Sequence, residues 1–341
     1  MFTGTPSVPD MIGLAQQAER SGFETIWVAE TRITRDAFVP ATAIAQATET
    51  IRIGTGIVNV FTRNPVLMAS TFLGMDELAP GRVIIGLGAG SSMVLGPQGI
   101  DYHKPLTRLR EYAEVIPRLM RGETVDFDGS TVTLRDARIE DVLSVGDRPL
   151  RAELPLYLAV DGPKAMRYAG GVGDGVLMDI CLPTSAVQEK LRILSEGAEE
   201  AGRTRADLDV GAVLLCSPNE DEQVGRAAAR FVISLYLGSL PHLGTQIGLP
   251  DEVTAAVGKA LATEGIEAAA RLVPDAAVDQ LAVAGTPEQC RSRIQQYRDA
   301  GLDFVVLAPV ESAIRATVDL LAPDGEGGLP GPRFDRSVQA R

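Results

Sequence analysis

Short runs of β-branched and aliphatic residues alternate along this chain with longer stretches whose apolar positions recur every three or four residues. The clearest unit covers residues 51–92. Ile51-Arg-Ile-Gly-Thr-Gly-Ile-Val-Asn59 and Arg82-Val-Ile-Ile-Gly-Leu-Gly-Ala-Gly90 are apolar, β-branched and end in glycines. Buried parallel strands have this character where a flat group approaches their carboxyl ends. Between them Val66, Ala69, Phe72 and Leu73 keep a helical period, which predicts a strand–helix–strand crossover.

The same alternation continues on both sides. Residues 1–5 offer a short first strand, and Ser7-Val-Pro-Asp10 opens a helix that ends at Gly22. A second strand is expected at 23–29, a helix at 40–49, and a helix at 107–120. Asp128-Gly129, between alternating apolar runs, signals a hairpin over 124–134. Further strands are expected at 155–160, 175–179, 209–216 and 303–307. Helices are expected at 164–169, 184–201 and 286–300, with a largely helical excursion over 220–279. This predicts an α/β fold, a (β/α)8 barrel over residues 1–322 with insertions after strands 4 and 7. Residues 323–341, rich in glycine and proline at their start, read as a flexible tail.

Composition narrows the function. The chain has 341 residues, 45% hydrophobic and 23% charged, an ordinary globular balance. A net charge of −13 argues against nucleic acid or an anionic membrane as partner. No apolar run is long enough to span a bilayer, and Met1-Phe-Thr-Gly-Thr lacks a basic region followed by an apolar core. A cytoplasmic protein acting on a small molecule is expected, with Cys181, Cys216 and Cys290 as reduced structural thiols. His103 and His242 stand far apart, so no metal site is expected.

In a barrel of this kind ligands meet the carboxyl ends of the strands. That places Glu30, residues 56–59, residues 88–91, residues 159–162, Asp179 and Cys216 around one mouth. Gly86-Leu-Gly-Ala-Gly90 invites a dinucleotide reading, but Ser91 stands where that fingerprint needs its third small residue. Glycines turning a loop at the rim serve as well. Asp161-Gly-Pro-Lys164 offers either a phosphate cradle at a helix N-terminus or a plain turn. Glu30 is either a working carboxylate or the partner of Arg32 or Arg35. Trp27 reads as core.

Taken in order, several stretches resemble one known group. These are Gly22-Phe-Glu-Thr-Ile-Trp-Val, Thr48-Glu-Thr-Ile-Arg-Ile-Gly-Thr-Gly-Ile-Val-Asn, Thr62-Arg-Asn-Pro, Met75-Asp-Glu-Leu-Ala-Pro-Gly-Arg and Gly86-Leu-Gly-Ala-Gly. Gly162-Pro-Lys-Ala, Ala169-Gly-Gly-Val-Gly-Asp-Gly, Glu196-Gly-Ala-Glu-Glu-Ala-Gly and Val283-Ala-Gly-Thr-Pro-Glu follow. Over about residues 8–310 the chain resembles the bacterial-luciferase-like superfamily. Within it, the likeness is to the F420-dependent methylene-tetrahydromethanopterin reductase branch.

The resemblance implies a non-prolyl cis peptide at Gly56-Ile57 behind a deazaflavin ring. It assigns Gly56, Ile57, Val58, Gly88, Gly90, Ala159, Val160, Asp161, Gly162, Gly175 and Val176 to cofactor binding. Glu30, Asn59 and Ser91 become the candidate catalytic residues. It also implies a homo-oligomer, expected as a dimer. Many relatives have Asp-His where this chain has Glu30-Thr31, and relatives place an acid where it has Ser91. The cofactor scaffold is thus kept better than the substrate chemistry. The expected function is an F420-dependent oxidoreductase. The alternatives are an FMN-dependent monooxygenase served by a separate reductase and a catalytically silent cofactor-binding barrel.

Overall fold

A computed structural model describes residues 6–30, 35–139, 153–240 and 242–323. The predicted first strand at 1–5, Thr31, Arg32 and the tail from 324 onward lie outside the described residues. The chain divides into two compact units, one holding the residues up to Leu177 with Gly197–Leu208, the other Met178–Glu196 with the residues from Asp209 onward.

The first unit runs α1 (Val8–Arg20), β1 (Thr25–Val28), α2 (Phe38–Ala47), β2 (Arg52–Thr55), β3 (Val58–Asn59), α3 (Pro65–Leu78), β4 (Val83–Gly88) and α4 (Ser92–Leu95). It continues with α5 (Pro105–Met120), β5 (Val125–Asp128), β6 (Thr133–Ala137), β7 (Leu156–Ala159), α6 (Pro163–Val172) and β8 (Gly175–Met178), whose last residue opens the second unit. After α7 (Thr184–Glu200), the second unit carries β9 (Asp209–Pro218), α8 (Glu222–Ser239), α9 (His242–Gln246), α10 (Asp251–Thr263), α11 (Ile266–Arg271) and α12 (Asp275–Leu281). It ends with β10 (Ala282–Gly285), α13 (Pro287–Asp299), β11 (Phe304–Pro309) and α14 (Ile314–Leu320).

Helix ends follow local chemistry. The Ser7 hydroxyl accepts from the Asp10 amide at 3.2 Å, and Met11, Leu14, Ala15 and Ala18 bury one face of α1. Asn64 opens α3 by accepting from the Leu67 amide at 2.8 Å. Thr286 and Gln289 complete a capping box at α13. The helix expected at 40–49 stops at Ala47. There Arg82 donates to the Ala45 carbonyl at 2.7 Å, which a longer helix would use, and to the Thr48 hydroxyl at 3.0 Å and the Ile51 carbonyl at 3.1 Å.

In the first unit the strands are parallel in the order β1-β2-β4-β7-β8, with β3 also on β4. The registers put Trp27 beside Gly54, Gly86 beside Tyr157, and Tyr157 beside Gly175. Parallel partners share a face, so two large rings stand among three positions without side chains. A methyl on Gly54 would lie 2.5 Å from the Trp27 ring, and one on Gly175 would lie 2.2 Å from the Tyr157 ring. The two rings meet edge to face at 5.3 Å. This aromatic layer fills the sheet face at mid-height.

The ladder between β2 and β4 ends at Gly54–Ile84 and resumes as β3 at Val58–Leu87. Thr55, Gly56 and Ile57 therefore stand opposite Ile85 and Gly86 alone, a one-residue bulge. The Gly56–Ile57 peptide bond is cis.

The hairpin β5–β6 is antiparallel, pairing Phe127 with Leu134 and Asp128 with Thr133. Its loop is longer than the Asp128-Gly129 pair predicts. The Glu111 carboxylate draws in the amides of Ser130, Thr131 and Val132 at 2.6–2.9 Å, together with the Thr131 hydroxyl.

In the second unit β11 pairs with β9 from Phe304–Gly211 to Pro309–Cys216. The short strand β10 was not expected. It pairs with the far end of β9, Ala282 with Leu215 through Gly285 with Pro218. Val278, Ala277, Ile233, Leu237 and Val257 lie in this unit's core. Among the described residues no helix is long and apolar enough to cross a membrane, and no cluster of His, Cys, Asp or Glu fits a metal ion.

Candidate functional site

The predicted residues of the first unit collect at the carboxyl ends of β1, β3, β4 and β7. One residue pair above the aromatic layer, the same face carries Gly88 and Ala159, and a methyl on Gly56 would lie 3.1 Å from Trp27 Cβ. All three are small, so the face opens where the rings below had closed it. Gly56 and Ile57 are half-buried, as are Ala89, Ser91 and Ala159, whereas Gly90, Asp161 and Gly162 are exposed.

Ile57 lies across this floor. A methyl on Gly88 would come within 2.7 Å of Ile57 Cγ1 and 3.5 Å of Ala159 Cβ. Gly88 is thus a close-approach glycine for the Ile57 side chain, which presents an apolar surface upward. The Ile57 carbonyl accepts from the Glu30 amide at 3.1 Å, and the Gly56 amide donates to the Val28 carbonyl at 2.8 Å.

Glu30 is not paired with Arg35 in any bond described, and Arg32 lies outside the described residues. Its partner is Arg63, with Nη1 2.6 Å from Oε1. The other oxygen accepts from Asn59 Nδ2 at 2.6 Å and from the Asn59 amide at 3.3 Å. Asn59 Oδ1 in turn accepts from the amides of Phe61 and Thr62 at 2.9 and 3.0 Å. Glu30 and Asn59 are therefore joined, and both are occupied in holding backbone.

At the next strand end, Gly90 has φ +68°, a conformation that favours glycine, and its carbonyl accepts from the Tyr102 hydroxyl at 2.9 Å. The Tyr102 ring packs on Phe61 at 5.1 Å, and burial pushes its hydroxyl pKa up, so it stays protonated at neutral pH. Ser91 precedes α4, a single turn not expected from the sequence, and its side chain caps no amide. Gly162 precedes α6 with no side-chain cap and open space before it, beside exposed Asp161 and Lys164.

Three predicted cofactor residues are placed differently. Gly175 and Val176 stand at the amino end of β8, away from the strand ends that carry the others. Gly175 makes room for the Tyr157 ring. Val176 and Val58 pair with Leu158 and Leu87, on the face opposite Ala159 and Gly88, and both are fully buried. Their side chains serve packing. Val160 is buried also, its amide 3.4 Å from the Leu177 carbonyl. Asp179 and Cys216 belong to the second unit, where burial pushes the Cys216 thiol well above its usual range. A cleft of about 610 Å³ in that unit, lined by Arg226, Asp279, Arg293 and Gln296 among others, contains none of the predicted residues.

Residues 2–303 match the luciferase-like monooxygenase family. The chain belongs to that family. Among luciferase-like relatives, the 5,10-methylenetetrahydromethanopterin reductase of Methanolobus tindarius is 30% identical over 307 residues, 89% of this chain and 91% of that protein. The F420-dependent glucose-6-phosphate dehydrogenase of Nocardia farcinica is 32% identical over 293 residues, 83% of this chain and 80% of its own. The structure of the coenzyme F420 dependent tetrahydromethanopterin reductase from Methanopyrus kandleri superposes with a TM-score of 0.85 at 25% identity, covering 94% of this chain and 95% of its own. The fold is thus the luciferase-like (β/α)8 barrel, as the strand pattern predicts.

Arg63, Phe61 and Tyr102 also stand beside these strand ends, and the sequence did not single them out. Arg63 lay in view in Thr62-Arg-Asn-Pro, but nothing in sequence spacing couples it to Glu30, 33 positions earlier.

Proposed function

We propose that this luciferase-like protein is an F420-dependent oxidoreductase that transfers a hydride between the deazaflavin and a small organic substrate. The observation that carries this reading is the floor of Gly56, Gly88 and Ala159 above the Trp27–Tyr157 layer, overlaid by Ile57. A flat ring fits a floor of that kind, and relatives named for F420 or for methylenetetrahydromethanopterin reduction match 83% and 89% of this chain.

Gly56, Ile57, Gly88, Gly90 and Ala159 would hold the ring. Val160, Asp161 and Gly162 would hold its tail, where the start of α6, which no side chain caps, and the Lys164 charge suit a phosphate. When bound, the deazaflavin supplies or accepts the hydride. The chain's own part is to orient and to dry the site: Ile57 keeps water from one face, and Glu30 and Asn59 fix the backbone beneath it. Ser91 would offer a hydroxyl toward the substrate, and the neutral Tyr102 hydroxyl holds the Gly90 turn. A homodimer, expected from the resemblance, belongs to the same proposal and is checked by light scattering.

The test is a fluorescence titration with oxidised F420 and with FMN. Micromolar F420 binding with weaker FMN binding is the expected result. Preference for FMN would move the protein to flavin monooxygenase chemistry, and binding of neither would remove the reading.

A further inference from the structure

Between the end of β1 and residues 56–59 the chain is joined by four hydrogen bonds, one from the Gly56 amide to the Val28 carbonyl and three through Glu30. The Glu30 amide holds the Ile57 carbonyl, and its carboxylate holds both nitrogens of Asn59. That carboxylate is itself fixed from outside by Arg63. The two side chains are 10% and 17% exposed, buried enough that the pair is screened little by solvent. Arg63 is also immobilised. Its guanidinium stacks on the Phe38 ring at 4.8 Å and stands 3.7 Å from Asp36, which accepts from the Phe38 amide at 2.7 Å at the start of α2. Its carbonyl accepts from the Tyr112 hydroxyl at 2.7 Å, and Arg108 grips the Val60 carbonyl at 2.6 Å. The strand end is thus pinned by α5 on one side and by the Glu30–Arg63 pair on the other.

This arrangement leaves Glu30 little freedom to act as an acid or base. Both carboxylate oxygens are engaged, one by a cation and one by an amide pair. Moving either would release Asn59, and with it the turn through Phe61 and Thr62.

We propose that Glu30 and Arg63 work as one positioning unit: the ion pair sets the height and tilt of residues 56–59, and Arg63 thereby governs how the deazaflavin ring is held. The proposal deepens the F420 reading above and rests on it. Neither residue needs to touch the ring. A group that acts through its partner shows coupling, so removing either member should have the effect of removing both.

The experiment compares the unaltered protein with Glu30→Gln, Arg63→Gln, Arg63→Lys and the double variant Glu30→Gln/Arg63→Gln. Each is titrated with F420, and the circular dichroism of the bound chromophore and the melting temperature are recorded. The expected result is a rise of about tenfold in the F420 dissociation constant for either Gln variant, with the double variant close to the singles. The chromophore band should shift alike in all three, and Arg63→Lys should recover part of the affinity because it keeps the charge. A purely structural role would lower the melting temperature and leave the bound chromophore's spectrum unchanged, which would overturn the proposal. So would loss of binding in Glu30→Gln with Arg63→Gln unaffected, since Glu30 would then act on the ring directly. If Arg63→Gln does not fold, Arg63→Lys is read by the same criteria. No F420 binding by the unaltered protein overturns the functional reading itself, whereas binding unchanged in every variant overturns this inference alone.

Discussion

Thr55 and Gly86 exchange a pair of hydrogen bonds across the gap in the β2–β4 ladder: the threonine hydroxyl donates to the Gly86 carbonyl at 2.8 Å and accepts from the Gly86 amide at 2.9 Å. One side chain replaces the backbone bonds that the bulge removes. Thr55 is fully buried, so water does not reach either group.

Thr55→Val keeps the shape and removes the hydroxyl, leaving a buried donor and acceptor unmet. A loss of about 2–3 kcal/mol is expected in denaturant unfolding. Thr55→Ser should retain most of the stability. Equal stability of the valine and wild-type proteins would refute the bridging role.

Glu111 is 8% exposed and anchors the β5–β6 loop. Burial pushes its carboxyl up, but the Thr131 hydroxyl and the amides of Ser130, Thr131 and Val132 outweigh that and hold it below the usual carboxylate range. A lowered folded pKa adds stability above the unfolded value of about 4.3, and that stability disappears as pH falls through the lowered value. Glu111→Gln should therefore lose about 2 kcal/mol at neutral pH. It should also flatten the acid limb of the stability curve below about pH 4. Parallel acid limbs for the two proteins would rule Glu111 out as the cause.

Gly88→Ala places a methyl 2.7 Å from Ile57 Cγ1. Ile57 has solvent above it and can give way, so the fold should survive with a loss of about 1–2 kcal/mol. Its apolar surface shifts in doing so. F420 affinity should then fall more than the melting temperature suggests, and an unchanged affinity would separate Ile57 from the cofactor.

Two further glycines give opposite expectations. Gly175→Ala drives a methyl to 2.2 Å from the Tyr157 ring and should cost about 3 kcal/mol or prevent folding. Gly162→Ala meets nothing within 4 Å at φ −71° and should fold as well as wild type. Thermal melts of the two variants decide whether Gly175 serves packing.

Much of this architecture could be read from the chain. Strands such as Val83–Gly88 declare themselves by β-branched runs ending in glycine, and helices such as α1 by a capping serine and an apolar stripe. What escaped was set by distant partners. Ala282–Gly285 is four small residues between two helices, with no strand signal of its own; it is extended because it lies against the far end of β9. The hairpin loop lengthened because Glu111, well upstream, attracts its amides. Gly56, Gly88 and Glu30 stand at strand ends, whereas Gly175 lies at the amino end of β8 against the Tyr157 ring. A glycine that admits a ligand and one that admits a neighbouring ring look alike in sequence. The choice of Arg63 as the partner of Glu30 depends on how two strand ends come together, which no local period records.

The two rings under the floor also act as a depth gauge. Because Trp27 and Tyr157 occupy the space that Gly54 and Gly175 vacate, on the F420 reading they would limit how far a bound ring can sink. Tyr157→Leu would lower that limit without touching a single rim residue, converting a shallow shelf into a shaft. On the F420 reading, the depth open to a ligand would therefore be adjustable from below, by residues that never meet it.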